Sequence, residues 1–442
     1  MNRSYLVSTV LIAALGAVLF GISMGAVAGA ATLLEHQFGA DTLGFTVSIL
    51  VIGCMLGAFT FGPLSDKIGR KPAMIILSLM FVLSFAGQLL CANSLWLLRL
   101  SRLIGGLATG ACSVVIPTYI SEISPDDIRG KMGSMFQFGV VIGIIIAYAV
   151  DYFVQAYPMA IGLMLGQGLP WAVLYFFLLI MRLPESPQWL INQGREHDAQ
   201  QVFKKISPQG FLEKPKTNVD NSYTFKNLLR SRMKFILLLG VCLAAFQQIT
   251  GINAVIFYAP KIFAQMGAGE DALISAVIIG SVNFVFTIVA IPLVDRLGRK
   301  QLLIWGGAGM SLTLSFVTFA YGDASQSVGL LIALMGYIAF FAATWGPVMW
   351  IVTSELYPTR IRGMAMSVST AVSWMCTIAL GQFFPTLLAN FGGGIFAAFG
   401  LISAVAAVFT FVYIPETKGK SLREIQQELQ LESAEKEHFE QV

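Results

Sequence analysis

Pro63-Leu64-Ser65-Asp66-Lys67-Ile68-Gly69-Arg70-Lys71 returns later in the chain as Pro292-Leu293-Val294-Asp295-Arg296-Leu297-Gly298-Arg299-Lys300, with the two aspartates 229 positions apart. Two further echoes keep nearly the same spacing. Ser121-Glu122 followed by Arg129-Gly130 returns as Ser354-Glu355 followed by Arg362-Gly363, and Pro184-Glu185-Ser186 returns as Pro415-Glu416-Thr417. Echoes at one offset mark a duplicated chain. The material between them is apolar, in runs of about 20 residues, the length that crosses ~30 Å of hydrocarbon as a helix. Such runs fall near 5–31, 43–65, 72–92, 95–121, 131–153, 161–183, 233–259, 271–294, 301–321, 328–353, 363–388 and 393–414; they are called spans 1 to 12 below. The expected fold is an all-α membrane protein of twelve transmembrane helices in two pseudo-symmetric six-helix bundles. The bundles are 1–183 and 233–414, joined by a polar loop 184–232 with short amphipathic helices at 194–206 and 223–231, and followed by a tail 415–442. Duplicated bundles with a site between them are the plan of alternating-access transporters.

Composition agrees. Of 442 residues, 56% are hydrophobic and 12% charged, about half the ~25% charge of a soluble domain. That excludes a soluble enzyme, a nucleic-acid binder and a secreted disulfide module. The net charge of +4 carries no message about nucleic acid. All Lys and Arg except Arg99, Arg102 and Lys261 fall on one side of the spans, so both termini and the long loop are expected in the cytoplasm, with the chain in the cell membrane. The five cysteines lie inside apolar runs without a C-x-x-C pair, and the three histidines are scattered. No metal, cofactor or catalytic residue is expected, and the partners are membrane lipid and a small molecule. The first apolar run exceeds a signal h-region and reads as a retained span.

Two patterns bear on motion. Asp66, Arg70, Glu122, Arg129, Asp295, Arg299, Glu355 and Arg362 stand at span ends on the basic side. Opposite charges of the two halves can form a breakable latch, or these are solvated helix ends that only set topology. Gly21, Gly25 and Gly29 on span 1, Gly53 and Gly57 on span 2, and Gly106 and Gly110 on span 4 recur every fourth residue. Such small faces let helices approach closely.

Gly62 to Lys71 matches the loop 2–3 signature of the major facilitator superfamily. Pro184-Glu185-Ser186-Pro187-Gln188-Trp189-Leu190 is similar to the sugar porter P-E-S-P-R-W-L, with Gln188 where Arg is usual. Gln247-Gln248-Ile249-Thr250-Gly251-Ile252-Asn253-Ala254-Val255-Ile256-Phe257-Tyr258 resembles the seventh-span sugar motif. Pro415-Glu416-Thr417-Lys418-Gly419 matches the motif after the last span. On these motifs the chain resembles the sugar porter branch of the major facilitator superfamily over essentially its whole length. The resemblance implies the major facilitator fold, a monosaccharide (hexose or pentose) as substrate, and alternating access. It also implies that Glu185 and Glu416 belong to the gating machinery with the charges above.

Polar groups at membrane depth are costly unless they face a wet cavity or each other. Gln137 lies on span 5, Gln247, Gln248 and Asn253 on span 7, and Asn283 on span 8. Gln247, Gly251 and Tyr258 fall on one helical face at four- and seven-residue spacing, and Gln248 and Asn253 flank it. Neutral amides donate to and accept from sugar hydroxyls without a charge, and Trp350 and Trp374 can cover the apolar face of a pyranose. The resemblance implies that Gln137, Gln247, Gln248, Asn253, Asn283, Trp350 and Trp374 contact sugar; amide glue between helices and interfacial tryptophans are the alternative. Ser373 stands where relatives often carry an amide, Phe257 where Tyr is common, and Ile144 where some xylose carriers have Gln.

Proton-coupled members carry an Asp in an F-G-Y-D stretch of span 1. Here it reads Phe20-Gly21-Ile22-Ser23, and serine does not titrate. Its basic partner on span 4 is kept as Arg102. The expected mode is therefore facilitated diffusion, ahead of symport with protons through another carboxylate. Asp151 is the first such carboxylate to test, although its place near the outer end of span 5 makes it a poor proton carrier. A sugar sensor is disfavoured by the short tail.

Overall fold

The structure, a computed structural model, describes residues 3–124, 129–206, 231–264, 272–321, 327–357, 362–418 and 420. Among them, all regular structure is helical. The first half holds α1 (Arg3–Phe38), α2 (Ala40–Ile68), α3 (Arg70–Leu90), α4 (Leu95–Ile123), α5 (Arg129–Val154), α6 (Ala160–Gly166) and α7 (Leu169–Arg182). Two short helices follow, α8 (Pro187–Asn192) and α9 (Glu196–Ile206). The second half holds α10 (Ser231–Ile249), α11 (Ile252–Ala264), α12 (Ala272–Leu297), α13 (Arg299–Ala320), α14 (Ser327–Ala343), α15 (Trp345–Leu356), α16 (Arg362–Phe391) and α17 (Gly394–Tyr413). Eleven of the expected spans are long and apolar enough to cross a bilayer, and α12 supplies the twelfth through Ile274–Ala290. The helix expected at 194–206 is α9, while 223–230 lies outside the described residues.

Three spans are broken, each for a local reason. Span 6 divides into α6 and α7 at Gln167 and Gly168, with Pro170 in the first turn of α7 where a missing N–H costs nothing. Span 10 divides at Thr344 into α14 and α15. Span 7 divides at Thr250 and Gly251 into α10 and α11. Gly251 takes a φ of 97°, open to glycine and strained for other residues, and a side chain there would enter the Phe399 ring. This corrects the continuous face expected through Gln247, Gly251 and Tyr258: helical periodicity stops at Gly251, and Asn253 lies in the first turn of a new helix that starts at Ile252.

Contacts divide the chain into two compact units. The first is Met1–Thr217 with Ile256–Lys261 and Glu270–Gly280; the second is Asn218–Val255, Ile262–Gly269 and Ser281–Val442. In the first unit α2 packs on α4 and α1 on α5, and the small-residue faces make both contacts possible. A side chain on Gly106 would run into the Leu50 carbonyl, and one on Gly110 into that of Cys54. Gly21 and Gly143 play the same part between α1 and α5, against the carbonyls of Val140 and Val18. In the second unit α13 packs on α17 and α14, and α10 on α16.

Candidate functional site

The deep amides of span 7 form one network inside the second unit. Gln247 and Gln248 end α10, and both are buried. Gln247 Nε2 donates to the carbonyls of Trp345 and Gly346, in the first turn of α15, at 3.1 Å each. Gln248 Nε2 donates to Gln247 Oε1 at 3.1 Å and to Ser373 Oγ of α16 at 2.9 Å. Its Oε1 accepts from Asn253 Nδ2 at 2.6 Å and from Thr377 Oγ1 at 3.1 Å. Asn253 Nδ2 also reaches Thr377 Oγ1 at 3.2 Å. The glycine break brings Asn253 onto Gln248, and a hydroxyl pair four residues apart on α16 fastens both.

Asn283 is buried in α12 of the second unit, and its side chain does not join the amide network; Gln137 is half-buried in α5 of the first unit. Trp350 on α15 and Trp374, next to Ser373 on α16, are half-buried. Sequence reasoning missed Trp345 and Thr377. Trp345 is fully buried, with Nε1 donating to the Leu303 carbonyl at 2.9 Å. Thr377 follows Ser373 by one helical turn, a spacing that places both on one face.

At the basic ends the two units repeat one clamp. In the first, Arg70 Nη2 and Nε bind Glu122 at 2.8 and 3.1 Å, and Nη1 binds Asp66 at 2.6 Å. Ser186 Oγ donates to Glu122 at 2.5 Å. The Glu185 carboxylate caps the start of α3, accepting from the N–H groups of Arg70 (3.0 Å) and Lys71 (3.2 Å), and from that of Ser186 at 2.8 Å. Burial pushes the Glu185 carboxyl above its ordinary value, and these donors draw it back. In the second unit Arg299 Nη2 meets Glu355 at 3.3 Å, Thr417 Oγ1 donates to Glu355 at 2.5 Å, and Glu416 accepts from the N–H groups of Arg299 and Lys300 at 2.9 and 3.1 Å. Each cap depends on the preceding glycine: Gly69 and Gly298 have φ of 104° and 92°, and a side chain on either would strike the carboxylate. Arg70 thus pairs with Asp66 and Glu122, and Arg299 with Glu355, each inside its own unit. The cause is local, because each turn holds its arginine beside its own unit's glutamates. The side chains of Arg129, Asp295 and Arg362 lie outside the described residues.

A profile described as "Sugar (and other) transporter" matches residues 9–429. The chain belongs to the sugar transporter family. A D-xylose transporter of Levilactobacillus brevis is 35% identical, with 96% of this chain and 95% of that one covered. The glucose transporter GlcP of Staphylococcus epidermidis is 36% identical, covering 95% and 96%. Among solved structures, the proton:xylose symporter XylE bound to 6-bromo-6-deoxy-D-glucose superposes with a TM-score of 0.79 at 30% identity, covering 97% of this chain and 99% of that one; the XylE protein is from E. coli. This sugar transporter therefore has the twelve-helix major facilitator fold and works by alternating access.

Three buried groups of the sugar transporter bear on energy coupling. Arg102 is 1% exposed; its Nε donates to the Thr46 carbonyl at 2.7 Å and its Nη1 has no partner. Ser23 is buried and its hydroxyl also lacks a partner. Asp151, expected near the outer end of its span, does stand three residues from the end of α5, yet its exposure is 0%.

Proposed function

We propose that this transporter carries neutral monosaccharides, hexose or pentose, and that Gln247, Gln248 and Asn253 bind them, with Gln137, Asn283, Trp350 and Trp374 lining the path. The observation that carries the reading is a buried network of uncharged amides at a helix break. Such groups match hydroxyls in both donor and acceptor sense and repel nothing neutral. Relatives that carry xylose and glucose support the substrate class. The test is uptake of radiolabelled glucose, xylose, galactose and arabinose by cells lacking their own carriers. Saturable uptake of at least one is expected; uptake of all four at only the level of empty cells sinks the reading.

Thr377 acts here as a positioning residue. Thr377→Val is expected to weaken sugar affinity by about two- to ten-fold, the worth of a buried hydrogen bond, and Thr377→Ser is expected to restore it. Equal dissociation constants for wild type and Thr377→Val would remove the role.

The basic ends are read as cytoplasmic, and their clamps as governing the conformational equilibrium. A contact shifts such an equilibrium only through its difference between states. Glu355→Ala is expected to raise the labelling rate of a cysteine placed in the cytoplasmic vestibule, through a larger inward-open population. An unchanged rate would leave the clamp as a purely local brace.

At the site where proton-coupled relatives of the family carry an acid, Ser23 offers no titratable group. Sugar passage past Ser23 and Arg102 therefore requires no proton there, which is the ground for facilitated diffusion.

A further inference from the structure

Arg70 and Arg102 are the two buried cations among the described residues. Arg70 has two carboxylates, Asp66 and Glu122. Arg102 has none among the described residues: its Nε is spent on the Thr46 carbonyl, its Nη1 is buried without a partner, and no ion pair there includes it. Its ionisable neighbours are the Cys54 thiol and the Tyr258 phenol, groups that are neutral at pH 7. A guanidinium keeps its charge, and a buried charge without a counter-charge is costly.

Helix registers bring a second unspent donor to the same depth. α1 meets α4 where Cys112 Sγ donates to the Gly16 carbonyl at 3.2 Å. Spans 1 and 4 cross in opposite senses. Seven residues on from Gly16 therefore lies seven residues back from Cys112, and Ser23 stands level with Gly105. Gly16 and Ser23, two turns apart, share one face of α1. Gly105 is one turn, about 4.5 Å, from Arg102, a step that the arginine side chain covers. Ser23 is buried, and its Oγ also has no partner. α2 closes the flank: the Leu50 and Cys54 carbonyls abut Gly106 and Gly110, and Thr46, one turn before, holds Arg102.

We infer that Arg102 and Ser23 form a binding site for one small monovalent anion, chloride, held between α1, α2 and α4 as a resident counter-ion. The guanidinium N–H and the hydroxyl both donate, and a halide accepts from any direction and has nothing to donate. One negative charge balances one guanidinium. A resident ion enters once, as the protein assembles or opens, and needs no route in each transport cycle. The charge of Arg102 is thereby met without an acid of the chain and without a group that titrates, so the site asks for no proton. It stands independently of which sugar is carried.

The test is thermal unfolding of the purified full-length protein, prepared throughout in sodium gluconate, with sodium chloride titrated in at constant ionic strength. An ion that binds the folded chain alone raises the unfolding midpoint whatever its path, by about 3 °C at a hundred times its dissociation constant. Wild type is expected to show that rise, saturating with chloride and reproduced by bromide; one midpoint in gluconate and chloride alike overturns the site. Ser23→Asp supplies the counter-charge from the chain, and its midpoint is expected to be the same in both salts. A chloride-dependent rise that persists in Ser23→Asp puts the ion elsewhere and overturns the assignment. If Ser23→Asp does not fold, Ser23→Ala decides: with one donor lost, the chloride needed for a given rise is expected to increase about ten-fold, and an unchanged requirement overturns the site. No sugar enters the assay, so its failure leaves the substrate reading untouched.

Discussion

Replacing Gln248 by alanine is expected to weaken sugar binding by roughly ten-fold or more, because a ligand hydroxyl loses a buried partner worth on the order of 1–3 kcal/mol. The structure raises the expectation above that of a single lost contact. Gln248 joins four groups: Gln247, Ser373, Asn253 and Thr377. Its removal takes the donor from Gln247 Oε1 and an acceptor from Asn253, so two neighbouring amides lose their set orientation as well. The measurement is equilibrium binding of monosaccharide by purified protein, with elution as a single sharp species as the control for folding. A Gln248→Ala protein that binds every tested sugar as tightly as wild type would show the pocket to be elsewhere.

The second large effect lies in packing. Gly106→Val is expected to abolish most of the folded protein. At Gly106 a Cβ would meet the Leu50 carbonyl and come within 2.9 Å of Gly53 Cα. These are backbone atoms of a facing helix, so relief requires α2 and α4 to separate along their shared face. Overpacking of an ordinary core costs about 1–3 kcal/mol, and a clash of backbone on backbone lies at or beyond the upper end. Gly133→Ala is the control, since a Cβ there meets nothing within 4 Å. The readout is the yield of monodisperse detergent-solubilised protein. Gly106→Val yields equal to wild type would contradict the close α2–α4 packing.

The fold was legible because its signals are long. Apolar runs, the bias of Lys and Arg to one side and the repeated Asp66 and Asp295 motifs each span many residues and agree. The site was legible only in residue type. That Gln247, Gln248 and Asn253 lie at membrane depth follows from the sequence. Their mutual bonding does not, because it depends on the break at Gly251 and on α16 arriving with Ser373 and Thr377. Ser373 reads from sequence as an amide lost; in the structure it is an acceptor gained by Gln248. Asp151 shows the same limit. Its place near the end of span 5 is readable, while its burial depends on Gly29, 122 positions away and without a side chain. The charges at the basic ends were readable as a set, but which glutamate meets which arginine is decided by the turns at Gly69 and Gly298.

The absence of any charge from the amide network around Gln248 has a consequence for metabolism. A sugar that gains a phosphate enters that lining only by shedding water from two negative charges with no cation to receive them. With sugar bound by Gln247, Gln248 and Asn253 as proposed, entry is open to the neutral sugar and closed to its phosphate ester. A cell that phosphorylates incoming sugar thereby makes a reversible carrier one-directional in practice, and preloading vesicles with a sugar phosphate should leave the uptake of labelled sugar unstimulated.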